Sequence, residues 1–127
     1  MPETIDRECL LCGMRRRVPV PDYGEDTAVA TCIKCDSALF RQSDGSTLTV
    51  DIAHHRETVA QALEKMDQAL NAAWQGYEQD VRLVVGGGAI REAVLGELTF
   101  QDRVGRIVRF RPESPNRGAV RVTLRDD

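Results

Sequence analysis

From residue 47 onward the apolar and polar positions follow a regular alternation of two periods. "TLTVDIA" (47–53) has period two: Leu48, Val50 and Ile52 face one way and Thr49, Asp51 and Ala53 the other, as in a half-buried strand. Thr58 with Gln61 three residues on forms a capping box. After it, Val59, Leu63, Met66, Leu70, Ala73 and Tyr77 recur at 4-3-4-3-4 spacing, which predicts an amphipathic helix ending near Gly76, with Met66 and Trp74 in its core. "VRLVV" (81–85) reads as a short buried strand closed by Gly86-Gly87-Gly88, and Ile90, Val94 and Leu98 share one face of a second helix. "RIVRFR" (106–111), the turn-rich "PESPNRG" and "AVRVTLR" (119–125) predict a hairpin. In its last strand Val120, Val122 and Leu124 face inward, and Arg121, Thr123 and Arg125 face out.

The order β-α-β-α-β-β predicts an α+β, two-layer sandwich. Right-handed crossovers put both helices on one face of a four-stranded sheet and leave the other face open. By strand parity that open face displays Thr49, Asp51, Arg121, Thr123 and Arg125, with Arg109 and Arg111 on the neighbouring strand. Charge sharpens the point. The chain is acidic overall, with a net charge of −3, yet Arg103, Arg106, Arg109, Arg111, Arg117, Arg121 and Arg125 cluster where Glu113 is the sole carboxylate side chain between the first and last of them. Arginines and hydroxyls on one face suit a phosphate backbone; a solvated strand face is the plainer reading. Arg15-Arg16-Arg17 extends the same basic surface if it lies nearby.

Before residue 47 the pattern changes. All four cysteines stand in two pairs, Cys9-x2-Cys12 and Cys32-x2-Cys35. Two tight knuckles aimed at one centre build a tetrahedron of thiolates, so one structural Zn2+ is expected on Cys9, Cys12, Cys32 and Cys35. Four thiolates leave no open position for catalysis by the metal. Gly13 stands directly after the first pair, where positive φ is commonly needed, and Asp36 takes the equivalent place after the second. "RRRVPVPDY" and "DTAVAT" read as short strands of a ribbon. The stretch from Cys9 to Arg41 resembles the short zinc ribbons at the N-termini of many bacterial proteins, through both knuckles, the Val18-Pro19 pair and the ending Leu39-Phe40. Polar "RQSDGS" (41–46) separates a ribbon over 1–43 from a second domain over 47–125. A segment of this size depends on its metal for folding, so chelation is expected to unfold 1–43 and spare 47–125.

No basic n-region precedes an apolar run, and no apolar window approaches the length of a membrane span. A soluble, cytoplasmic monomer away from membranes is expected, where cysteines bind metal rather than pair as disulfides.

Residues 47–125 resemble the Smr (small MutS-related) domain. The likeness rests on the strand with its Asp at "VDI", the helix opening "TVAQAL", the run "VRLVVGGGAIREAV" and the ending "VRFRPESPNRGAVRVTL". The resemblance implies nucleic-acid binding, with nicking or cleavage of DNA or RNA in some members and action on ribosome-bound messages in others. It favours RNA over DNA, and a ribosome or other large assembly as partner. The family's Leu-Asp-Leu-His-Gly motif stands here as Val50-Asp51-Ile52-Ala53-His54, so Asp51 carries over while Ala53 takes the histidine's place. In an extended strand His54 points away from Asp51. His55 returns to its face, but ~13 Å along. An endonuclease would use Asp51 with His54 or His55. The family's His-Gly-x-Gly-x-Gly has shrunk to Gly86-Gly87-Gly88, either a plain strand-to-helix turn or, with Arg91, a phosphate cradle at a helix N-terminus. A third class of function, a protein-binding adaptor docking through its ribbon, fits the cysteines equally well.

Overall fold

Three strands that run the same way, with a fourth inserted against them, form the main sheet of the computed structural model, which describes residues 4–19, 31–113 and 118–125. A two-stranded sheet comes first: β1 (Thr4–Glu8) pairs antiparallel with β2 (Arg15–Pro19). A 3-10 turn, Leu39–Arg41, leads into β3 (Thr47–Asp51), α1 (Val59–Gln75), β4 (Asp80–Val84), α2 (Ala89–Arg103), β5 (Arg109–Pro112) and β6 (Ala119–Thr123). The strand order is β3-β4-β6-β5, parallel between β3 and β4 and antiparallel on both sides of β6. Both helices pack on one face, so the expected α+β, two-layer architecture is present.

The elements form where their local chemistry directs. α1 opens on the full capping box, Thr58 taking the Gln61 N–H and Gln61 returning to the Thr58 N–H. It buries Ala62, Met66, Ala69, Leu70, Ala73 and Trp74, and stops at Gly76 before Tyr77. Along β3 the exposed Thr47, Thr49 and Asp51 alternate with half-buried Leu48 and Val50, while β6 supplies buried Val120 and Val122 at the sheet's centre. The N-terminal segment departs from expectation: its sheet uses Thr4–Glu8, ahead of the first knuckle, as partner for Arg15–Pro19. "DTAVAT" lies outside the described residues except for Thr31, which bridges Ala38.

The 41–46 segment is a hydrogen-bonded joint. The Asp44 N–H donates to Tyr77 O, the Gln79 N–H to Ser46 O, and the Leu10 N–H to Gln42 Oε1. Leu39, Phe40, Cys9, Cys32 and Val18 belong to the same buried cluster as Trp74, Leu70 and the sheet core. The Phe40 and Trp74 rings stack with centroids 6.4 Å apart. Residues on both sides of the 41–46 segment thus share one buried cluster.

Arg125 is the clearest correction. Expected on the open face, it is 4% exposed. Alternation ends with β6 at Thr123, and the guanidinium turns onto the last turn of α1, whose carbonyls have no partners within the helix. It donates to Ala73 O, Trp74 O, Gly76 O and Gln42 O at 2.9–3.2 Å and lies 5.2 Å from the Trp74 ring. Arg7 of β1, 1% exposed, reaches the same helix end. It donates to Gln75 O and Leu39 O and sits between the Phe40 and Tyr77 rings. Arg125→Ala strands several buried carbonyls, so it should destabilise the fold by about 3 kcal/mol, measured by urea unfolding, with Lys a poor substitute for the planar fork.

Candidate functional site

Two sites lie at opposite ends of α1. At the metal end, each knuckle is closed by the same pair of backbone bonds: Gly13 N–H to Cys9 O and Cys9 N–H to Met14 O in the first, Asp36 N–H to Cys32 O and Cys32 N–H to Ser37 O in the second. Both turns need a left-handed residue, and Gly13 (φ 78°) and Asp36 (φ 63°) supply it. The four sulfurs lie within 4.8 Å of one another, Cys9 to Cys35 and Cys12 to Cys32 each at 3.5 Å. That is too long for a disulfide and close to the ~3.8 Å edge of a tetrahedral metal–thiolate site. Ser37 Oγ approaches Cys35 and Cys9, and Gln42 Nε2 donates to Cys9 at 3.3 Å. Ser37 is the largest influence drawing the Cys9 thiol below its ordinary range, and the Cys35 N–H does the same for Cys32. The four thiols lie close enough together to hold one metal ion.

At the other end, β3 stops at Asp51 and the chain bends. Asp51 Oδ1 accepts the Ala53 N–H at 3.0 Å. This turn swings the next side chain back, so His54 Nδ1 lies 2.8 and 2.7 Å from the two Asp51 oxygens. On an ideal strand His54 points away from Asp51, and the bend reverses that direction. His55, on the Asp51 face of an ideal strand, stands apart with its side chain 73% exposed and its N–H on Glu57 Oε1. The Ala53 N–H is the largest influence holding the Asp51 carboxyl below its usual value, and His54 acts in the same direction. Asp51 therefore stays charged to a lower pH than a free aspartate.

The glycine turn faces this pair. Gly86 (φ 63°) lies so close that a Cβ on it would be 3.9 Å from His54 Nε2 and from the Ala53 Cβ. Gly88 (φ 105°) is the N-cap of α2 and gives its first turn no side-chain cap, so the opening N–H groups of that helix face outward. Arg91 lies in that first turn and meets Glu92 at 3.6 Å. Asp51, His54, the glycines and the start of α2 thus converge at the carboxyl ends of two parallel strands.

The open sheet face carries its arginines in register. Thr49, Arg82, Arg121 and Arg111 stand side by side across the four strands, one pleat from the Asp51 row. Arg82 went unnoticed in the sequence because it interrupts an apolar run, although its period-two spacing from Asp80 and Val84 gave the face. The charge is partly matched: Arg82 binds Glu113, and Arg121 donates to Asp80 at 3.1 Å and Thr47 at 3.2 Å. A largely polar cavity of about 340 Å³ is lined by Gln79, Asp80, Arg109, Phe110, Arg111, Arg121 and Thr123. Arg15-Arg16-Arg17 adds little to this surface, because acidic residues oppose two of its members across the small sheet, Asp6 opposite Arg17 and Glu8 opposite Arg15.

Among the described residues no helix is long and apolar enough to cross a membrane. No family model and no curated protein matches the chain. A solved structure does: the crystal structure of the Smr domain of Thermus thermophilus MutS2 is 31% identical, covers 62% of this chain and 99% of its own, and superposes with a TM-score of 0.53. One equivalent of metal should bind per chain, and Cys32→Ser should lower its affinity by at least tenfold, read by competition with a chromogenic chelator.

Proposed function

The chain belongs to the Smr domain family, and on that premise we propose that it binds nucleic acid and cleaves a phosphodiester at Asp51 and His54. The observation that carries this reading is the 2.7 Å contact between His54 Nδ1 and an Asp51 oxygen, beside a glycine turn that opens a helix. With Nδ1–H donated to Asp51, the ring keeps Nε2 for the reaction. Nε2 takes the proton of an attacking hydroxyl as its oxygen bonds to phosphorus. The opposite P–O bond breaks, and its oxygen recovers a proton from the imidazolium or from water. The outward N–H groups at the start of α2, with Arg91, stabilise the charge that gathers on the non-bridging oxygens.

Flanking phosphates rest on the open face, where Arg109 and Arg111 of the edge strand stand beside Arg82 and Arg121, which share their charge with Glu113 and Asp80. RNA is the favoured polymer, on the family likeness. The metal is zinc, held by four soft thiolates in a closed, structural shell with no part in the chemistry. A second reading, docking of the metal module on a larger assembly, is supported by the exposed apolar side chains Leu10, Leu11 and Ile33 at the knuckle tips.

The test is a titration of the metal-loaded protein against labelled single-stranded RNA, duplex RNA and duplex DNA at two salt concentrations, each reaction resolved on a denaturing gel. Discrete products are expected, falling about 10²–10⁴-fold in His54→Ala and Asp51→Asn with binding retained. Arg111→Ala should weaken binding and reduce the salt slope by about 1. Binding with intact polymer would reduce the function to recognition alone; no binding would leave only the docking role.

A further inference from the structure

The bend that brings His54 onto Asp51 is held from both sides. Upstream, Asp51 pins the Ala53 N–H. Downstream, the Glu57 carboxylate accepts the His55 N–H on Oε1 at 2.7 Å and the Lys65 ammonium on Oε2 at 2.6 Å. His54 is thus the one residue between two N–H groups, each fixed by a carboxylate. Glu57 does this from an enclosed position, its side chain 3% exposed although the turn around it faces solvent. Between His55 and Glu57 the chain passes through Arg56 at φ 59°, a left-handed conformation uncommon for a residue other than glycine. Lys65 lies on the second turn of α1, so the carboxylate ties the bend to a rigid element. The Lys65 hydrogen bond, the largest influence, brings the Glu57 carboxyl down to about 2. The anchor is therefore charged at every pH at which the fold is expected to work.

We propose that Glu57, tied to Lys65, is a positioning residue that fixes the ring of His54 on Asp51. The proposal rests on the reading of Asp51 and His54 as the reacting pair for its catalytic consequence, but its geometric content stands apart from it. A merely structural Glu57 would steady the start of α1 and leave the ring indifferent. Thr58 separates the two cases, since it caps α1 without touching the His55 N–H.

The experiment is ¹⁵N NMR of the imidazole of His54 in the full, metal-loaded chain, reading which ring nitrogen carries the proton above the ring's titration. In the parent chain Nδ1–H should predominate, because Nδ1 faces the carboxylate. Glu57→Ala should shift the ring toward the Nε2–H form usual in water, Lys65→Met should move it the same way, and Thr58→Ala should leave it in place. An unchanged ring in Glu57→Ala overturns the proposal, and so does an equal shift in Thr58→Ala, which would assign the effect to fraying of the helix. If cleavage is observed, Glu57→Ala should lower kcat about tenfold or more with KM unchanged. If no polymer is cut yet the ring shifts as stated, the positioning role stands and the hydrolytic function falls.

Discussion

An α-helix leaves the carbonyls of its last turn without partners of its own, and here two arginines from opposite ends of the sequence meet that need together. Arg7 takes Gln75 O and Leu39 O, while Arg125 takes Ala73 O, Trp74 O, Gly76 O and Gln42 O. Burying two cations side by side is unfavourable, and desolvation followed by the charge of Arg7 brings Arg125 down to about 10. Helix-end carbonyls and the faces of Phe40, Tyr77 and Trp74 offset that cost. Tyr77 adds a second tie, its hydroxyl donating to Glu8 O and accepting the Glu8 N–H. The orientation of the cysteine module on the sheet follows from this junction.

The other end of α1 uses carboxylates in the mirror role. Asp51 and Glu57 hold backbone N–H groups where the chain leaves β3, and the helix cap at Thr58 follows directly. Roughly 25 Å of helix separates the two ends. The open face lies along the same sheet, and its ion pairs preset the guanidinium planes of Arg82 and Arg121 before any ligand arrives. Under the proposed function a polyanion there would compete with Glu113 and Asp80 for cations already oriented, which would moderate affinity while keeping geometry.

The elements that repeat were legible in the sequence. Period two gave β3 and β6, the 4-3-4 spacing and Thr58–Gln61 gave α1, and the paired cysteines gave the thiolate cluster with both left-handed turns. What escaped depends on where repetition stops. Strand parity carried past Thr123 put Arg125 outside, and past Asp51 it sent His54 away, because parity says nothing once the backbone bends. Arg7 and Glu57 sit in segments with no period at all, and their partners are distant or local carbonyls and N–H groups that no spacing rule encodes. Arg82 was hidden for the opposite reason: apolar neighbours on both sides made a two-faced strand look wholly buried.

The position of β6 has a consequence for how the chain acquires its shape. This strand is the last of the described elements in sequence, yet it lies between β4 and β5 and makes ladders to both. During synthesis β3 and β4 with their helix can pair early, and β5 then has no neighbour to lie against until β6 follows. Val120 and Val122 fill the middle of the sheet only at the end, and Arg125 follows them onto the helix terminus. Assembly is therefore completed from the centre, and the same late residues that finish the sheet also fasten the cysteine module to it.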